Sequence, residues 1–309
     1  MELLVLREGV HGMSPATYAD TLRSKLPEHT VRLAETPDDE RRLISTADIV
    51  TGPRVDESLL EHADDAKLFA CAYAGHDHLP LDALASAGIA VTNAVGVHAP
   101  NVAEHAIGSI LLFSRRLHEA VRADRWQPLF ADELAGSVVT IVGLGTIGQA
   151  VATRLEPFDV TTLGVRRNVE RGGPTDDVLP AEELHDALAR SDFVVLCCPL
   201  TDETRGLLDE AAFVTLPPDA VVVNVARGEV IETAALVDAL HRGRIGGAAL
   251  DVTDPEPLAS DHPLWEFENV VVTPHNAGST PQYYERLAAI VAANVERLQS
   301  DDSLRNRVS

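Results

Sequence analysis

The most legible chemistry lies in Gly143-Leu144-Gly145-Thr146-Ile147-Gly148, which follow the β-branched run Val138–Val142 and lead into a helix-forming stretch. Strand, glycines and helix stand in the order that a phosphate-cradling turn requires. Gly143 permits the tight turn, Gly145 lets backbone approach a pyrophosphate, and Gly148 allows close helix–strand packing. The unpaired N–H groups at the helix N-terminus then receive the phosphates. A glycine-rich turn with no ligand is the plain alternative, but the ordered combination predicts a dinucleotide site. About 20 residues further on, where a carboxylate would hold a ribose 2′-hydroxyl, stand Arg166, Arg167 and Asn168. Guanidinium groups bind a 2′-phosphate through charge-assisted hydrogen bonds, and a carboxylate there would repel it. The expected cofactor is therefore NADP(H) in preference, with NAD(H) tolerated.

Four further stretches occupy the second half of the chain. They are Pro199-Leu200-Thr201-Asp202-Glu203-Thr204-Arg205-Gly206, Asn224-Val225-Ala226-Arg227-Gly228, Asp251-Val252-Thr253-Asp254-Pro255-Glu256-Pro257 and Thr273-Pro274-His275-Asn276-Ala277-Gly278. Their order and spacing closely resemble the D-isomer-specific 2-hydroxyacid dehydrogenases, over roughly residues 70–280. The resemblance implies that Arg227, Glu256 and His275 are the catalytic residues. It also implies that Asp251 meets the nicotinamide carboxamide and that Ala277 and Gly278 approach its ring. Cys198, Pro199, Val225 and Ala226 would line the cofactor channel, and Thr204 would hydrogen-bond near the phosphates.

These residue types suit the reaction so implied. A 2-oxo acid carries a carboxylate beside a carbonyl, and its reduction places negative charge on the carbonyl oxygen. Arg227 is planar and permanently charged, so it can hold the carboxylate and polarise the carbonyl. His275 is the side chain suited to giving the new alkoxide its proton, and in oxidation it acts as the base. Glu256, ionised beside the imidazole, would orient it and favour its protonated form. Each has an ordinary alternative: Arg227 pairing with a surface acid, Glu256 as a solvated loop carboxylate, His275 as a surface histidine. Their conjunction favours chemistry, as does the place of His275 after a strand, at the edge where doubly wound sheets bind ligands. The formate dehydrogenases, a related branch, use an amide where this chain has Glu256, which argues against that branch.

On the substrate side, Ala72-Tyr73-Ala74-Gly75-His76-Asp77 resembles the family's glycine-containing loop, whose N–H groups bind the substrate carboxylate. Tyr73, Ala74 and Gly75 thus join Arg227 and His275 as expected substrate contacts. The family often has a second glycine near Tyr73, so the departure would reshape the pocket. Arg54, in Thr51-Gly52-Pro53-Arg54, is a further candidate cation, with ordinary exposed surface as the alternative. Gly96 and Asn101 flank the start of a helix, and Asn101 is a candidate contact for cofactor or substrate. Val102-Ala103-Glu104-His105 is read as structural, in a helix that the resemblance associates with a homodimer. The expected substrate is a small 2-oxo or 2-hydroxy acid. A short phosphoglycerate dehydrogenase and a glyoxylate/hydroxypyruvate reductase are the enzymatic alternatives, and no regulatory extension is expected after the last helix. A dinucleotide-sensing interaction protein is the alternative of another class.

Such a constellation needs a scaffold, and β-branched runs alternating with helical patterns predict parallel α/β sheets. The strand candidates of a first series are Leu3–Leu6, Val31–Leu33, Ile49–Val50, Leu68–Cys71 and Ile89–Thr92. Those of a second are Val138–Val142, Val160–Gly164, Phe193–Leu196, Ala220–Asn224, Ala248–Asp251 and Asn269–Thr273. The expectation is two doubly wound domains with a cleft between them. A flavodoxin-like substrate domain would span 1–96 plus 282–309, and a Rossmann-type dinucleotide domain 97–281. Val102–Val121 predicts one helix with Val102, Ala106, Ile110, Phe113 and Leu117 on its apolar face. Arg125–Gly136 reads as a turn-rich connection, and Pro281–Gln299 as an amphipathic helix returning to the first domain.

Composition narrows the partners. The formal net charge is −23 with Lys25 and Lys67 as the only lysines, a surface that repels nucleic acid and anionic lipid. No apolar run reaches the roughly 18–20 residues of a membrane span, and the first residues read as a strand rather than an export signal. Cys71, Cys197 and Cys198 form neither a disulfide framework nor a zinc pattern, so no metal and a reducing, cytoplasmic setting are expected. The strong acidity and the aromatic fraction of 4% resemble proteins of salt-in halophiles. Self-repulsion of this size predicts a need for molar salt.

Overall fold

The computed structural model describes residues 1–308. The chain divides into two compact units, one made of Met1–His98 with the segment from Ser279 onward, the other of Ala99–Gly278.

The first unit holds β1 (Glu2–Val5), β2 (Thr30–Leu33), β3 (Ile49–Gly52), β4 (Leu68–Cys71) and β5 (Ala90–Thr92). They form a wholly parallel sheet in the order β2-β1-β3-β4-β5, the flavodoxin-like arrangement. Leu3, Val5, Leu68 and Ala70 feed one apolar layer, and Leu4, Val50 and Phe69 feed the other. Both faces are covered, which is why these strands read as continuous apolar runs. The last helix, Tyr283–Gln299, belongs to this unit. Tyr284 stacks on Tyr18 with ring centroids 4.9 Å apart and its hydroxyl accepts from Val10 N at 3.1 Å, while the Tyr283 hydroxyl donates to the Ala72 carbonyl.

The second unit holds β6 (Val138–Val142), β7 (Thr161–Val165), β8 (Asp177–Leu179), β9 (Phe193–Leu196), β10 (Val221–Asn224), β11 (Gly247–Leu250) and β12 (Val270–Val272). Their order, β12-β11-β10-β9-β6-β7-β8, is again wholly parallel. It is the doubly wound order whose reversal lies between β6 and β9. Val222, Val194 and Leu196 pack into one layer, and Val223, Val195 and Ile141 into the other.

Two expectations need correction. The strand β8 is not among the expected strands, because three residues with one Asp at a sheet edge carry no periodic signal. The single helix expected over Val102–Val121 is two, Ala99–Ser114 and Leu117–Ala120, divided at Arg116, whose φ of +51° no helix tolerates. Val102, Ala106, Ile110 and Phe113 are buried as the periodicity requires, but Leu117 lies beyond the break and is about half exposed. Neither Gly nor Pro marks the break; a bidentate pair from Arg116 to Glu119, at 2.7 and 2.8 Å, closes the turn instead. The segment 122–135 has no regular structure.

Candidate active site

The glycine loop runs from the end of β6 at the chain reversal of its sheet. Gly143 has φ +98°, and a Cβ there would stand 2.6 Å from the Cys198 nitrogen, so backbone meets backbone. A Cβ on Gly148 would stand 2.0 Å from the Gly143 carbonyl oxygen, which makes the helix Thr146–Leu155 lie directly against the turn. A Cβ on Gly145 would meet nothing. That open side, with no side chain capping the helix N-terminus, leaves backbone N–H groups for an anion. Leu144 is buried, Ile147 half-buried, and Thr146 exposed on the rim. The loop therefore fits the pyrophosphate of a dinucleotide.

Around it, Cys198 is buried and Pro199 exposed; burial pushes the Cys198 thiol up to about 11 and raises that of Cys197 as well. The Thr204 hydroxyl donates to Pro199 O at 2.6 Å and accepts from Thr201 N at 2.8 Å, so it closes its own loop. Beyond β7, Arg166 donates to the Gly172 carbonyl through one terminal nitrogen, while its buried Nε has no hydrogen-bond partner among the described residues. Arg167 pairs with Glu203 at 2.6 Å, both side chains largely exposed, which makes the pair weak and exchangeable. Asn168 is spent locally, accepting from Glu170 N at 3.0 Å.

Arg227 follows β10, whose last residue, Asn224, is buried and ties down the turn. Its side chain accepts from Ala226 N and donates to Arg227 O, each at 3.0 Å. Val225 and Ala226 are buried while the Arg227 side chain is exposed. The guanidinium donates to Ala226 O at 2.6 Å, and among the described residues no carboxylate lies within 4.0 Å of it. The neighbouring Gly228 sits against the next loop: a Cβ there would fall 2.1 Å from the Thr253 carbonyl carbon. In that loop Thr253 N donates to Glu256 Oε1 at 3.1 Å, and Glu256 Oε2 lies 2.9 Å from Nδ1 of His275.

His275 has φ +50°, a conformation that only a few per cent of non-glycine residues adopt. Its own N–H donates to Asp251 O at 2.8 Å and Thr273 O at 2.9 Å. The Asp251 carboxylate, buried at 4% exposure, accepts from Thr273 Oγ1 at 2.6 Å, Asn276 N at 3.0 Å and Ala277 N at 2.9 Å. Asp251 thus fastens the turn that carries the imidazole, a duty beside the nicotinamide contact expected of it. With Glu256 accepting at Nδ1, that nitrogen carries the proton. Of the expected triad, Glu256 and His275 touch, and Arg227 is joined to them through the Gly228–Thr253 backbone contact. Asn224 and Thr273 escaped notice as positioning residues. The only sign was a polar residue ending an all-valine strand and a threonine just before a proline.

In the first unit, Tyr73, Ala74 and Gly75 follow β4. The Tyr73 N–H lies 3.4 Å from the Cys71 sulfur and the Ala74 carbonyl accepts from Asn93 at 2.7 Å. The N–H groups of Ala74 and Gly75 donate to no described residue, and Gly75 is exposed. Beyond the C-terminal ends of the neighbouring strands β1 and β3, a cavity of about 410 Å³ opens, lined by Arg7, Arg54, Tyr73 and His78 among others. Arg54 pairs there with Glu8 at 3.1 Å and Arg7 with Glu40 at 3.1 Å. Asn101, in the second unit, donates to Ala277 O at 2.6 Å.

Comparison with known proteins places this geometry. Residues 107–277 match the family model for the NAD binding domain of D-isomer specific 2-hydroxyacid dehydrogenases. A glyoxylate reductase of Thermofilum pendens is 39% identical over 254 residues, 78% of this chain and 74% of that protein. A D-3-phosphoglycerate dehydrogenase of Mycobacterium leprae is 35% identical over 274 residues, 87% of this chain; the chain spans about half (51%) of that protein. Among solved structures, a D-isomer specific 2-hydroxyacid dehydrogenase family protein from Aeromonas salmonicida superposes with a TM-score of 0.75 at 30% identity, covering 100% of this chain and 98% of that one. No helix among the described residues is long and apolar enough to cross a membrane. With two parallel α/β units and a glycine loop at the chain reversal, the chain belongs to the D-isomer specific 2-hydroxyacid dehydrogenase family and is an oxidoreductase with an NAD(P)-binding domain.

Proposed function

We propose that this chain reduces a small 2-oxo acid to its D-2-hydroxy acid, with His275 as acid/base, Arg227 as carboxylate clamp and Glu256 as the partner that orients His275. The observation carrying the proposal is the 2.9 Å contact between Glu256 Oε2 and His275 Nδ1. It fixes the tautomer and turns Nε2 into the proton-exchanging atom. Arg227, without a carboxylate partner of its own, holds the substrate carboxylate and stabilises charge developing on the carbonyl oxygen. In the first unit, the N–H groups of Ala74 and Gly75, which donate to no other described residue, are free to meet an acid's carboxylate, and Arg54 and Tyr73 border a cavity of that unit. The dinucleotide, held at Gly143–Gly148, supplies the hydride.

For the cofactor, the proposal is NADP(H) in preference to NAD(H), supported by Arg166 and Arg167 at the end of β7 and by the unpartnered Arg166 Nε. For the substrate, relatives named glyoxylate reductase and phosphoglycerate dehydrogenase support glyoxylate or hydroxypyruvate first and a phosphorylated acid second. A homodimer is supported by Trp126 and Phe130, which are 99% and 94% exposed in the single chain and form the kind of apolar surface a partner subunit covers. Sedimentation velocity tests it, a monomer at micromolar concentration being the adverse result. The central test is a panel of glyoxylate, hydroxypyruvate, pyruvate, branched 2-oxo acids and 3-phosphoglycerate, assayed with both dinucleotides. Turnover of at least one acid is expected. Tight dinucleotide binding with no turnover would instead favour a sensing protein.

A further inference from the structure

Behind the catalytic turn lies the helix Ala99–Ser114, and two of its side chains, Asn101 and His105, stand one helical turn apart on the same face. Both reach the segment that carries His275. Asn101 donates to Ala277 O at 2.6 Å. His105 Nε2 lies 3.2 Å from Thr273 Oγ1 and 3.7 Å from Asp251 Oδ1. The Thr273 hydroxyl has a single hydrogen, and it is donated to Asp251 Oδ1 at 2.6 Å. Toward His105 that oxygen can therefore only accept, so Nε2 must carry a proton and donate. A continuous chain results: His105 donates to Thr273, Thr273 donates to Asp251, and Asp251 accepts from the N–H groups of Asn276 and Ala277, the two residues that follow His275.

We infer that His105 is a positioning residue for the catalytic turn, acting through Thr273 on the buried Asp251 carboxylate. The Asp251 charge is mostly enclosed and sits on the turn whose His275 holds φ +50°. A strained residue keeps such a conformation only while its surroundings over-determine it. The donor at His105, with the three donors that Asp251 already receives, supplies that constraint from the helix side. Removing it frees the Thr273 hydroxyl to turn away from Asp251 and slackens the turn.

The inference rests on reading His275 as the acid/base, and one experiment separates the two. Hydrogen exchange over residues 273–278, kcat with the best acid of the panel, and Tm are compared for wild type, His105→Gln, His105→Leu and Thr273→Val. Leu keeps bulk without a donor, Gln restores an N–H donor, and Val removes the hydroxyl in the middle of the chain. In His105→Leu, exchange at Asn276 and Ala277 should rise about 5-fold and kcat fall on the order of 10-fold or more, with Tm nearly unchanged. Thr273→Val should behave alike, and His105→Gln should recover most of both. Wild-type exchange and kcat in His105→Leu would overturn the inference, as would equal impairment of Gln and Leu, since that would mean packing alone. If wild type turned over no acid, the catalytic reading would fail while the exchange comparison still decided the part played by His105.

Discussion

Glu256 Oε2 lies 2.9 Å from His275 Nδ1, and the other Glu256 oxygen is fixed by the Thr253 N–H at 3.1 Å. The carboxylate is therefore a fastened arm rather than a swinging one, although both side chains are partly exposed, at 39% and 52%. Glu256→Gln keeps the shape but puts a neutral amide oxygen where a charged acceptor held the Nδ1 proton, so the imidazole is oriented less firmly. Its kcat for reduction should fall on the order of 10-fold with dinucleotide affinity unchanged. Wild-type kcat would remove Glu256 from this duty.

Arg227→Lys should cost on the order of 100-fold in kcat/KM, because a point ammonium cannot hold a carboxylate in a planar fork while polarising its neighbour. His275→Ala should lose about 100-fold or more of kcat with dinucleotide affinity preserved. Steady-state kinetics and fluorescence titration of the dinucleotide check both, and near-normal turnover in either variant contradicts the assignment.

Gly228→Ala should destabilise the second unit by roughly 1–3 kcal/mol, because the added methyl would land on the Thr253 backbone and something must give. As the displaced loop carries Glu256, activity should fall more steeply than stability. Thermal unfolding beside kcat measures the difference.

The double variant Arg166→Ser with Arg167→Ser should weaken NADPH and leave NADH little changed. A free guanidinium is worth far more against a 2′-phosphate than against a hydroxyl. Only Arg167 must first break an ion pair, and that pair is exposed. Equal loss for both dinucleotides would point to a structural duty instead.

The net charge of −23 predicts a Tm that rises from about 0.1 M to about 1 M salt as screening shortens from about 10 Å to about 3 Å. A flat dependence would show that the acidity is a surface habit without a cost in stability.

Both sheets were legible in the sequence because the buried strands are short apolar runs, many of them rich in valine, and Leu68–Cys71, Val138–Val142 and Phe193–Leu196 coincide with the observed strands. The glycine loop was legible for a steric reason, since Gly143 and Gly148 stand where any Cβ would overlap backbone. What stayed hidden had no periodic signature: the short edge strand β8 and the break at Arg116. The same holds for polar side chains such as Asn224 and Thr273, whose partners are close in space and scattered along the chain. A hydrogen-bond network of that kind has no fixed spacing to read. The triad could be expected only as a set, because nothing local distinguishes Glu256 from any solvated loop carboxylate.

The first unit is discontinuous in sequence, and its closing helix brings Tyr283 and Tyr284 into the core beside Tyr18 and under the Ala72 carbonyl. On a ribosome, every strand of the first sheet therefore emerges before the second unit and waits, its aromatic seat empty, until Tyr283 and Tyr284 have been made. The second unit, encoded in one uninterrupted stretch, can settle before that. Maturation would then run against the order of translation, with the half that is begun first being finished last.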